Sequence, residues 1–337
     1  MKGFFNSLAL SFAIVGSIIG AGFITGAEIV TFFSSSKLLP SCVILFVLLS
    51  IFLVFLMLAG SRYGSQTTAN LRVLGRFSYF FNACVYIFSF LATCGMCAGL
   101  DAVLNSAIGI NERLPTLSIP CIVLSFFICK KGVEGLKVFN SLLVPFMLLV
   151  IVFACLVGGD GVVENFPLKV QFLSVATYVG MNCFLSSAVI VDSGRGMRVW
   201  QIVVASITAS LIVAVCVYMI MRKISLCVSV DENLPLLSSL NKSKVFYVIF
   251  SVVTVFGIVT TLVSSHYPLV RLIGKSPMNL TLNACLMICA IAFSRIGFYK
   301  IVSLCYPVIG VVGLLYALAF IWHGIKKLPS SNGKPFK

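Results

Sequence analysis

Four glycines fall within eleven residues of an apolar stretch, Gly16-Ser17-Ile-Ile-Gly20-Ala21-Gly22-Phe23-Ile-Thr-Gly26, and Glu28 follows two residues later. Glycine in a helix interior costs roughly 1 kcal/mol relative to alanine, so a helix carrying this cluster is weak unless something uses the weakness. Two uses are open. Small residues four apart, Gly16/Gly20 and Gly22/Gly26, permit close helix packing. Alternatively the chain unwinds around Gly20–Phe23, where N–H groups at the start of a second half-helix suit a carboxylate and exposed carbonyls suit a cation. Glu28 then either braces the half-helix or binds a coupling ion, a proton or a substrate amine.

Other polar groups recur inside apolar stretches. Thr177-Tyr-Val-Gly180-Met-Asn182-Cys-Phe-Leu-Ser-Ser187 forms a second candidate break, with the Asn182 amide placed to meet a ligand beside Gly180. Thr260, Thr261 and Ser264 share one helical face, since residues three and four apart are neighbours, and Ser265 adjoins them. Such hydroxyls either bond back to their own helix or bind an ion. Asp101 either reaches the outer interface or gates it against a basic group. His266 and His323 lie far apart without carboxylate or cysteine partners at motif spacing and read as structural. Cys94 and Cys97 form a lone CxxC, with no second pair or nearby His to complete a zinc site.

The elements that hold these residues are membrane helices. The 337 residues are 60% hydrophobic and 10% charged, with a mean hydropathy of +1.12, beyond the range of water-soluble domains. A helix crosses the hydrocarbon with roughly 20 apolar residues. Stretches free of Asp, Glu, Lys and Arg run over 38–61, 77–100, 114–129, 138–159, 170–191, 199–221, 245–270, 276–294 and 301–325, and 3–36 contains only Glu28 and no other acid. That predicts an all-α integral membrane protein of about ten spans in one domain, 1–337, with no removable signal peptide. An ionisable group at the bilayer centre costs roughly 2.5–3.5 kcal/mol on insertion scales, which makes Glu28 and Asp101 the two suspects. Ten helices suggest two inverted halves, about 3–159 and 167–325, each opening with a broken helix.

The net charge of +15 does not point to nucleic acid, because no basic run is long enough to track phosphates. Cytoplasmic loops collect Lys and Arg. With the N-terminus inside, the inner set is Lys2, Arg62, Arg72, Arg76, Lys130, Lys131, Lys137, Arg195, Arg198, Arg271, Lys275, Lys326, Lys327, Lys334 and Lys337, which is 15 of the 24 basic residues. The outer loops carry Glu112, Asp160, Glu164, Asp231 and Glu232. Both termini are therefore expected in the cytoplasm, with the chain in the cell membrane.

The segment from Gly16 to Phe33, GSIIGAGFITGAEIVTFF, resembles the signature of the YkvI-type family of bacterial membrane proteins, related to the amino acid–polyamine–organocation and neurotransmitter–sodium symporter superfamily. The family's usual Gln before the acid is Ala27 here. The resemblance implies a LeuT-type fold of five plus five inverted helices, with substrate between helices one, three, six and eight. It also implies sodium held by helix-one carbonyls and helix-eight hydroxyls, which places the ion among Ser17, Gly20, Thr260, Thr261 and Ser264. Some sodium-independent relatives fill that site with a Lys from helix five. Here 138–159 contains no Lys, which favours sodium, while Glu28 keeps protons in play.

The expectation is a secondary transporter of a small amino acid or amine, driven by sodium or protons and using no cofactor. A carboxylate would meet Gly20, Ala21, Gly22 and Phe23, with Gly180 and Asn182 shaping the pocket. The alternative is a non-transporting ligand sensor of the same fold, like a germination-receptor subunit. An enzyme is not expected, because no His, Asp and Ser constellation clusters near one interface.

Overall fold

In hydrocarbon every backbone polar group must be satisfied within the protein, which a helix does locally. The computed structural model is accordingly helical. It describes residues 2–24, 26–34, 36–108, 115–156, 171–224, 244–274 and 278–327. The acids Glu112, Asp160, Glu164, Asp231 and Glu232, and the bases Lys275, Lys334 and Lys337, lie outside the described residues.

In chain order the helices are α1 (Lys2–Ile18), α2 (Ala21–Ile24), α3 (Ala27–Phe33), α4 (Leu38–Tyr63), α5 (Gln66–Leu74), α6 (Ser78–Ile108), α7 (Ser118–Lys130) and α8 (Gly132–Leu156). They continue with α9 (Phe172–Leu185), α10 (Ser187–Ser193), α11 (Val199–Ile224), α12 (Lys244–Ile273), α13 (Asn279–Ser294) and α14 (Phe298–Lys326). Among the described residues, six helical segments are long and apolar enough to cross a membrane, and a seventh span arises if α9 and α10, bent by 67°, are one crossing. Three shorter apolar helices, Asn6–Ile18, Ser118–Lys130 and Asn279–Ser294, accompany them.

Helix α8 shows why these sequences become lipid-facing spans. Leu142, Leu149 and Leu156 are spaced by seven and exposed, while Leu136, Asn140, Val144, Met147 and Ile151 face the interior. The apolar stripe that a water-soluble helix would bury is here matched by an apolar outer face.

The buried residues form two groups. One gathers α1 to α4 with α8, α9, α11 and α14 around Phe33, Leu53, Tyr178 and Phe184. The other joins α6, α7 and α12 around Met96, Leu100, Phe126 and Leu262. Helices α9 and α14 approach most closely where small residues meet. A Cβ added at Gly180 would stand 2.5 Å from the Leu314 nitrogen and 2.6 Å from the Gly310 carbonyl oxygen. Gly180 thus admits the backbone of α14, and α9 runs on through it to Leu185. Within the segment expected to break, Thr177–Ser187, the helix turns at Ser186 and not beside Gly180.

Candidate functional site

The first helix breaks where its glycines cluster, and each glycine does something different. At Gly16 a Cβ would press on Asn140, 2.7 Å from its Cγ, so this position is a packing contact with α8. Regular α1 hydrogen bonding ends near Ile19, whose N–H donates to the Val15 carbonyl at 2.7 Å. Gly20 lies in the break, with the Thr261 side chain 2.5 Å from where its Cβ would be. Gly22 sits in the single turn of α2, and a Cβ there would fall on the Glu28 carboxyl group. Gly26 precedes α3 with φ of 83°, a left-handed conformation open to glycine and strained for other residues. Both uses of the glycines, packing and unwinding, therefore coexist in eleven residues.

Facing this break is the second one. The Ser186 hydroxyl, at the bend between α9 and α10, donates to the Ser17 carbonyl at 3.1 Å and joins the two broken helices. Between them and α12 lies a cavity of about 20 Å³, lined by Ser17, Ile18, Gly20, Glu28, Ala92, Met181, Asn182, Leu185, Thr261, Ser264, Ser265 and Tyr306. That volume admits roughly one water-sized species, which needs at least about 10–15 Å³.

Six residues expected at the site line this cavity: Ser17, Gly20, Glu28, Asn182, Thr261 and Ser264. Thr260 does not; its hydroxyl donates to the Gly257 carbonyl at 2.8 Å, the bond back to its own helix. Gly22 and Phe23 are not in the lining either, and Phe23 is fully buried in the core. Ala21 starts α2.

The hydroxyls divide in the same way. Ser264 donates to the Thr260 carbonyl at 3.0 Å, and Ser17 donates to the Ile14 carbonyl at 2.7 Å. Thr261 Oγ1 is buried with no hydrogen-bond partner. An unsatisfied buried hydroxyl costs roughly 1–3 kcal/mol, so this oxygen, turned to the broken backbone at Gly20, is a ready ligand for a small cation.

Glu28 is 4% exposed. Its carboxyl is hydrogen-bonded to the Tyr306 hydroxyl, and among the described residues no Lys, Arg or His lines the cavity around it. Asn182 Nδ2 donates to the Tyr178 carbonyl at 3.0 Å, and the residue lines the cavity.

A second polar cluster closes the other end of α10. Asp192 Oδ1 accepts from the Gln66 backbone N–H at 2.9 Å. Its Oδ2 accepts from the Tyr267 hydroxyl at 2.9 Å and pairs with Arg271. Gln66 Nε2 reaches Ser187 Oγ at 2.6 Å. The first turn of α5, the end of α10 and the end of α12 are thereby tied together. Beside the tie is a pocket of about 80 Å³ bounded by Ser65, Gln66, Tyr86 and Arg271 among others.

Sequence reasoning missed this cluster. Asp192 stands one residue beyond the charge-free stretch 170–191, and so escaped the search for buried acids. The signal for its partner, and for Tyr306, is that Tyr267-Pro268 and Tyr306-Pro307 each place a phenol before a proline inside an apolar span.

Asp101 takes its partners from the backbone. It is buried, and its Oδ1 accepts from the Leu117 and Ser118 backbone N–H groups, both at 3.0 Å. A carboxylate at a helix N-terminus is stabilised by the helix dipole, so Asp101 anchors the start of α7. His266 Nδ1 meets Ser125 Oγ at 2.7 Å, and His323 Nε2 meets the Tyr63 hydroxyl at 2.9 Å, both without carboxylates. Lys137 Nζ pairs with Glu134 at 2.8 Å, away from the cavity. Among the described residues no three of His, Cys, Asp and Glu converge as metal ligands, the Cys94/Cys97 pair included.

No family model matches the chain. Over 95% of its length it is 24% identical to an uncharacterised membrane protein, YkvI of Bacillus subtilis (strain 168), covering 96% of that protein. Among solved structures, it is similar to MhsT in complex with L-phenylalanine, with TM-score 0.68 and 14% identity over 94% of this chain and 95% of that one. It is also similar to Mhp1, a nucleobase–cation symport transporter with bromovinylhydantoin bound, with TM-score 0.60 and 14% identity over 94% of this chain and 71% of that one. The chain is a multi-pass membrane protein with the fold of these two.

Proposed function

We propose that this protein is a secondary transporter of a small amine or amino acid, driven by sodium or protons. The observation that carries the reading is the cavity shared by the two helix breaks and the α12 hydroxyls, with Glu28 and the unpartnered Thr261 Oγ1 in its wall. MhsT and Mhp1, whose fold it shares, were solved with small organic molecules bound.

In this reading the six long segments, the bent pair and the three shorter apolar helices make ten crossings. They are arranged as five plus five inverted helices in the cell membrane, with both termini in the cytoplasm. Sodium is held by Thr261, Ser264 and the backbone near Ser17 and Gly20; a proton would instead ride on Glu28. Asn182 orients the substrate, and its body is accommodated as the half-helices move. The tie from Asp192 to Arg271, Tyr267 and Gln66 holds the path on its side of the cavity closed, and its release opens that path. Such alternation about a fixed central site is how inverted-repeat transporters work.

Uptake into proteoliposomes tests the proposal. Amines and amino acids are presented with an inward sodium gradient, an inward proton gradient or neither. Gradient-dependent accumulation is expected for one chemical class. A ligand that binds saturably yet never accumulates under any gradient would instead identify a sensor.

A further inference from the structure

We propose that the ligand of the Glu28 cavity is a cationic amine that lacks a carboxylate group. The inference rests on the transporter reading of this site and narrows it. A zwitterionic amino acid needs two receptors, one for each charge. The receptor expected for its carboxylate is the backbone at the start of α2, around Gly22. That place is taken by the protein's own acid, since a Cβ built on Gly22 would land on the Glu28 Oε1, Cγ and Cδ atoms.

A second carboxylate brought there would meet like charge, or compete for the same donors. Among the described residues nothing else in the lining offers to neutralise it, because no Lys, Arg or His borders the cavity. The positive end of a ligand is served much better. The Glu28 carboxyl and the unpartnered Thr261 hydroxyl oxygen are both acceptors at residues bordering one small space, and Asn182 borders it too. An ammonium group has three donors and no acceptor, and about 20 Å³ holds a group of that size. Ile18, Ala92, Met181 and Leu185 complete the wall with apolar surface for an alkyl or aryl stem.

Matched pairs isolate the carboxylate as the only variable. Thermal unfolding of the detergent-purified protein is followed with phenylalanine against phenethylamine, leucine against isopentylamine and lysine against cadaverine, each in sodium and in potassium chloride. At least one amine should raise the midpoint, half-saturating at a concentration at least tenfold below its parent amino acid. Glu28→Gln, which keeps the shape and removes the charge, should abolish that shift. Should Glu28→Gln not fold, Tyr306→Phe, which keeps the carboxyl and removes the phenol that positions it, should raise the half-saturating concentration severalfold.

An amino acid that stabilises more strongly than its own amine overturns the inference and leaves the transporter reading standing. Full stabilisation by an amine in folded Glu28→Gln, or an unchanged half-saturating concentration in Tyr306→Phe, also overturns it. A flat response to all six compounds in both salts removes the underlying reading of the cavity as an amine or amino-acid site.

Discussion

Asp192 and Glu28 are both less than a tenth exposed, yet they are satisfied in different ways. Asp192 has two hydrogen bonds, from the Gln66 N–H and the Tyr267 hydroxyl, and an ion pair with Arg271. Glu28 borders a cavity with a phenol beside it and, among the described residues, no cationic side chain in the lining. A buried carboxylate is tolerated when it is paired and hydrogen-bonded. Asp192 finds that pairing within the protein, whereas Glu28 is left to find it in a proton or a ligand. One acid holds helices together, and the other faces a cavity. In the proposed transport reading, the difference separates an element that breaks during a cycle from an element that binds.

The largest effect should come from attacking the satisfied acid. Asp192→Ala leaves Tyr267 and Arg271 without their acceptor. Breaking a fully buried pair costs roughly 3–5 kcal/mol, but the Arg271 side chain is 41% exposed, and screening reduces the loss to about 2–3 kcal/mol. The expected readout is a clearly lower unfolding midpoint together with raised solvent exchange at the α5 and α10 backbones. If both stay at wild-type values, the tie is not a closing element.

An intermediate effect is expected at Gly22. Gly22→Leu should insert, and because the added side chain meets the Glu28 carboxyl group first, ligand binding by the folded variant should fall by at least tenfold as the carboxyl is displaced. Binding at wild-type affinity, measured by the ligand-induced shift of the unfolding midpoint, would detach the break from the site.

The smallest effect on stability belongs to Thr261→Val. Its hydroxyl makes no hydrogen bond, so replacing it should change stability by less than about 1 kcal/mol or even raise it. It should nonetheless erase any difference between sodium and potassium in ligand binding. A sodium dependence that survives in Thr261→Val places the ion elsewhere.

Much of this comparison was legible in the residues. Glycine spacing marked the first break because backbone cost is a local property, and Glu28 stood out because a charge in an apolar span is conspicuous. The face shared by Thr261 and Ser264 followed from helical geometry. Other features depend on which helix lies opposite. Thr260 and Thr261 are adjacent hydroxyls, and only packing decides that one bonds back to Gly257 while the other faces Gly20. Gly180 read as a flexible point, but the glycines of α14 opposite it make it a crossing point. Asp101 gave no hint that its partners are two amides sixteen and seventeen residues away. Asp192 and Arg271 are 79 residues apart in sequence, and no local pattern links them.

The measurement that tests the central claim most directly is gradient-driven uptake into proteoliposomes by wild type and Glu28→Gln, using whichever compound gives the largest thermal shift. The account predicts that wild type accumulates the compound above its external concentration when a sodium or proton gradient is imposed, and that Glu28→Gln, equally well folded, does not. Accumulation by Glu28→Gln at the wild-type rate would contradict it, because the acid left unpaired by the protein would then have no part in binding what crosses.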